Sequence, residues 1–98
     1  MTQLVEDITV EGQSYRIVVE CGVDSRGWTY LGEWINGFPY WFHHKMNYTD
    51  QEDMKGDMES ELRCIKAHLE DRKLIRKTVF HSNSRDQLKM DFWVHRHD

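Results

Sequence analysis

The chain has no apolar run approaching the roughly 20 residues that a membrane-crossing helix needs, and its mean hydropathy is −0.78. Its first residues, MTQLVEDITV, lack the basic start and apolar stretch of a secretory leader and carry early acids. No membrane association is expected, and the expected location is cytoplasmic. Cysteine is scarce: Cys21 and Cys64 stand far apart, with no CxxC spacing and no disulfide framework, so free thiols are expected. HExxH and glycine-rich phosphate loops are missing, since GVDSRG and INGF lack the strand–loop–helix context. Positive charge is also short. A formal charge of −4 argues against bulk binding of polyanions.

What the chain does have is aromatic residues, concentrated in one place. In GWTYLGEWINGFPYWFHH, seven of the fifteen residues from Trp28 to Phe42 are aromatic. Asn36-Gly37 in the middle is a strong two-residue hairpin signal. With Ile35 set opposite Phe38, one face of the ribbon carries Leu31, Ile35, Phe38, Tyr40 and Phe42. The other carries Trp28, Tyr30, Trp34, Pro39, Trp41 and His43. Both faces are apolar. Pro39 has no N–H to donate and suggests an edge strand.

The segment before it, LVEDITV-EG-QSYRIVVEC, alternates cleanly. Glu11-Gly12 forms the turn, and pairing Val10 with Gln13 puts Ile8 opposite Tyr15 and Leu4 opposite Val19. Leu4, Ile8, Val10, Tyr15, Ile17, Val19 and Cys21 share one face. Asp7, Thr9, Arg16, Val18 and Glu20 share the other, which is mostly polar. After the ribbon, Thr49 and Glu52 fit a capping box. Met54, Met58, Leu62, Ile65, Leu69 and Ile75 then recur at helical spacing, predicting one amphipathic helix over about 49–76. The remainder reads as a third hairpin, TVFH and LKMDFWVH, with Leu88, Met90, Phe92 and Val94 on one face and Trp93 on the other.

These elements predict a single α+β domain over 1–98. Its antiparallel sheet is built from hairpins, with one long amphipathic helix packed on one face, in the order β-β-β-β-α-β-β. One helical stripe covers one face of one sheet. The second aromatic face of the ribbon then needs another cover: the C-terminal hairpin, a second copy of the chain, or a different partner.

Residues that could carry chemistry are scattered. His43 and His44 are adjacent and point to opposite faces of a strand, so they do not chelate together. His95 and His97 read as solvated tail residues. Cys64 and His68 lie one turn apart on the helix, a spacing compatible with a thiol–imidazole pair but more often seen in packing. Asp53, Asp57 and Glu61 form an acidic stripe. No metal, cofactor or catalytic group is expected.

The function expected from the residues alone is therefore non-enzymatic. It is that of a small soluble interaction protein binding itself, as a homodimer, or another protein through the aromatic hairpin. Trp28, Tyr30, Trp34, Trp41 and His43 are the expected contact residues. Compact, motif-free chains of this kind suit accessory roles in phages or mobile elements. One alternative is a nucleic-acid-binding module that adds the basic segment 72–89, above all Arg72, Lys73, Arg76 and Lys77, to the aromatic ribbon. Another is a small-ligand-binding or hydrolytic protein with an aromatic-lined pocket.

Overall fold

A computed structural model describes residues 2–25, 27–42, 47–83 and 86–96. The elements are β1 (Thr2–Val10), β2 (Gln13–Asp24), β3 (Gly27–Ile35), β4 (Phe38–Phe42), β5 (Asn47–Tyr48), α1 (Gln51–Glu70), β6 (Leu74–Asn83) and β7 (Asp86–His95). The expected α+β order of two hairpins, a helix and a further hairpin is present, with the short β5 added before the helix. β1 to β4 form an antiparallel meander. β5 pairs with β3 at Trp28 and Thr29, and β6 and β7 form a separate two-stranded sheet.

The first hairpin has the expected register, with Val10 opposite Gln13, Ile8 opposite Tyr15 and Leu4 opposite Val19. Glu11 and Gly12 take φ of 52° and 81°, and Asn36 and Gly37 take 52° and 79°. Positive φ at both central positions is the turn geometry whose twist matches the strands it joins. The β3–β4 turn is also tied down laterally. Asn36 donates its N–H to the Arg16 carbonyl at 2.9 Å, and Arg16 donates its N–H to Asn36 Oδ1 at 2.8 Å.

β3 departs from the expected alternation. Glu20 pairs with Gly32, but the next residue, Cys21, pairs with Tyr30, leaving Leu31 unopposed. A bulge reverses which side chains face inward. Glu33 and Ile35 point inward on one side of it, and Tyr30 points inward on the other; all three are buried. A second irregularity, at Tyr40, puts Trp41 opposite Glu33 while Trp34 still faces Pro39. The expectation that Trp28, Tyr30, Trp34 and Trp41 share one face is therefore corrected. Tyr30 is 1% exposed within the core, and Trp41 meets its ring edge-on at 6.4 Å. Trp28 packs partly buried against the same core. Trp34 sits on the opposite face, in a row across the strands made by Val5, Val18, Trp34 and Pro39.

The helix is shorter than expected. Its N-cap is Asp50 rather than Thr49: Glu52 donates its N–H to Asp50 Oδ1 at 2.8 Å. It stops at Glu70 because Arg72 adopts a left-handed φ of 57°. Arg72 N–H then bonds the Leu69 carbonyl, and Lys73 N–H bonds the His68 carbonyl. This double closure usually uses glycine; with Arg in its place, no sequence signal marked the stop. Ile75 accordingly leaves the helical stripe and lies in β6. Met54, Met58, Ile65 and Leu69 are buried against Ile17, Val19, Cys21, Tyr30 and Ile35 of the sheet.

The C-terminal hairpin does not extend the main sheet. It docks at the end of the same inner face through Trp93, whose indole N–H donates to the Ile35 carbonyl at 2.9 Å and whose ring lies 5.9 Å from Tyr15. Helix and hairpin thus divide one face of the sheet between them. The other face has neither.

Candidate functional site

The division leaves a half-open cleft of about 380 Å³ where β3, β4, α1 and β7 meet. β3 supplies Glu33, and β4 supplies Tyr40 and Trp41. The helix supplies Glu61, Cys64 and His68, which recur at three-to-four spacing, and β7 supplies Trp93 and His95. The spacing that suggested a Cys64–His68 pair does place both side chains on one cleft wall. Glu61 from the acidic stripe joins them.

At the floor lies Glu33, fully buried. Its Oε1 accepts a 2.7 Å hydrogen bond from the Tyr30 hydroxyl. Its Oε2 has no hydrogen-bond partner among the described residues. Burial pushes this carboxyl up from 4.5 to about 8, against the lowering effect of the Tyr30 bond; the Glu61 carboxyl pushes it further up. Glu33 therefore holds its proton at neutral pH. Burial also raises the Tyr30 phenol strongly, with the bond to Glu33 adding to the effect.

The upper wall is an imidazole pair. The His68 and His95 rings meet edge-to-face at 4.6 Å, and the Tyr40 hydroxyl lies 2.9 Å from His95 Nε2 and 3.3 Å from His68 Nδ1. A hydroxyl has one proton, so Tyr40 donates to one ring and accepts from the other. Desolvation, and after it the charge of His95, lowers the pKa of His68 and favours its neutral form. Tyr40 is pushed up to about 12, mainly by burial. Acceptors thus outnumber fixed positive charges in the cleft.

A second candidate surface is the β6–β7 hairpin. Ile75 pairs with Val94, Lys77 with Phe92 and Val79 with Met90, so Ile75, Val79, Met90, Phe92 and Val94 share the face turned away from Trp93. This matches the face read from the sequence, although the side chain of Leu88 lies outside the described residues. Ile75 is 46% and Met90 42% exposed; on the inner side, Phe80 is 62% exposed. The hairpin is anchored at its base and bare toward its tip.

The basic residues do not form a common stripe. Arg72 pairs with Glu11, and Lys73 lies 4.0 Å from Asp71. Arg76 bonds Asp91 at 3.1 Å and covers the Phe38 ring at 4.2 Å. Lys77 faces the other side of the hairpin. His43, a predicted contact residue, lies outside the described residues, as does His97. Cys21 is buried and Cys64 exposed, and both are free. Among the described residues, no helix is long and apolar enough to cross a membrane, and no group of three His, Cys, Asp or Glu is arranged around a metal position.

Sequence reasoning missed Glu33. Its signal is a lone acid within the apolar run LGEWI, at a position that the β2–β3 register sets opposite Val19. No known family model, curated protein or solved structure matches this chain.

Proposed function

We propose that this chain is a small non-enzymatic interaction protein that pairs with a second copy of itself through the outer face of its C-terminal hairpin. The observation that carries the reading is a hairpin apolar on its outer face and projecting from the body. The radius of gyration is 15.2 Å, whereas a compact chain of this length has about 13 Å. A two-stranded hairpin is marginal in water, and one that exposes Ile75, Phe80 and Met90 gains most from cover. Two-fold self-pairing is the commonest cover, because one patch serves both partners. This moves the expected contact surface from the Trp28–His43 ribbon to β6 and β7. Arg72, Lys73 and Arg76 already face carboxylates, which speaks against the nucleic-acid alternative.

Light scattering over a range of concentrations tests the proposal. The expected mass is twice the 11.9 kDa of one chain. Ile75→Glu combined with Met90→Glu, both at exposed positions, is expected to give the single-chain mass with an unchanged far-UV spectrum. A wild-type protein at single-chain mass throughout, or a double variant that stays paired, overturns the reading.

A further inference from the structure

We infer that the cleft between β3, β4, α1 and β7 binds a small organic ammonium ion, with Glu33 and Glu61 as its anionic contacts. Four features of the cleft point to that chemistry. Glu33 is fully buried, and its Oε2 has no hydrogen-bond partner among the described residues, so an acceptor waits at the floor. Glu61 adds a second carboxyl from the helix side. The walls are the aromatic rings of Trp41, Trp93 and Tyr40, which attract a cation through their π faces. The remaining polar groups, the Tyr40 hydroxyl and the His68 and His95 rings, form a bonded cluster in which His68 favours its neutral form. An ammonium N–H finds acceptors here; a carboxylate or phosphate ligand meets two carboxyls. The volume of about 380 Å³ suits a ligand of one ring or a short chain.

Binding exchanges a proton for the ligand. Glu33 is protonated in the free protein at pH 7, being raised to about 8. An ammonium ion favours its carboxylate, so the proton leaves to solvent as the cation enters. Tyr30, Tyr40, Glu61, Cys64, His68 and His95 face the same space and titrate in their own ranges. Comparison with a Gln variant isolates the part due to Glu33.

The test is an NMR titration of the full chain, following the indole N–H signals of Trp41 and Trp93. The probes are benzylammonium, its neutral isostere benzyl alcohol, and benzoate. Benzylammonium is expected to shift both signals and to bind roughly severalfold more tightly at pH 8.5 than at pH 7. Glu33→Gln and Glu61→Gln should each weaken it roughly tenfold or more, and Glu33→Gln should also remove the pH dependence. Both variants keep a side chain of nearly the same shape, and their fold is checked by the dispersion of their spectra. If benzylammonium binds no better than benzyl alcohol or benzoate, or binds both Gln variants as well as the wild type, the inference is wrong.

Discussion

Glu33 sits where a hydrophobic residue would ordinarily go, opposite Val19 and beneath the helix, and its burial has a consequence for stability. Its pKa is 4.5 in an exposed setting and about 8 in the fold. Between those values the folded chain holds a proton that the unfolded chain has released. The contribution of Glu33 is therefore most favourable below pH 4.5 and is lost as pH rises to about 8. The full effect is on the order of a few kcal/mol. Glu33→Gln removes the titration while keeping an acceptor for Tyr30. Thermal melts should show the variant gaining on the wild type as pH rises from 5 to 8, with the difference level above that. A wild-type melting temperature that rises steadily over that interval, unaltered by Glu33→Gln, contradicts this assignment.

At the scale of elements, each departure from regular pairing decides where the neighbouring side chains point. The bulge opposite Glu20 and Cys21 turns Tyr30 into the core and leaves Trp34 on the back of the sheet. The alternation of β1 and β2, the two turns and the helical stripe were legible in the sequence because each repeats a simple period or uses a marked turn residue. The bulge was not, because no glycine or proline falls at Leu31 to announce it. The helix stop was hidden for a similar reason, since Arg72 takes a conformation usually left to glycine. Gly56, by contrast, sits in the helix with open space where a Cβ would stand, so its replacement meets no obstacle. Gly56→Ala should stabilise the chain by about 0.5–1 kcal/mol, read from denaturant midpoints at constant slope. Trp93 ties the hairpin to the sheet through a hydrogen bond and a ring contact. Trp93→Ala should cost about 3–5 kcal/mol. Amide exchange should then be fast in β6 and β7 while β1 and β2 remain protected.

For the whole molecule, the main question is which apolar surface stays uncovered. The sequence marked the Trp28–His43 ribbon as the surface in excess, and that reading assumed unbroken alternation. In the folded chain the ribbon's aromatics are split between the core, the cleft and the back of the sheet. The bare surface lies on a hairpin whose alternating face was visible in the sequence, but whose anchoring through Trp93 depends on tertiary contacts. The cleft was less legible still. Its residues come from four elements far apart in sequence, and only Cys64 and His68 were linked by local spacing. Pairing between copies through β6 and β7 is tested most directly by isotope-filtered NMR on an equal mixture of labelled and unlabelled chains. Cross-peaks between chains among the methyl groups of Ile75, Val79, Met90 and Val94 are the expected result. Spectra with no such peaks at concentrations where the protein is paired, or with peaks confined to Val5 and Val18, would contradict it.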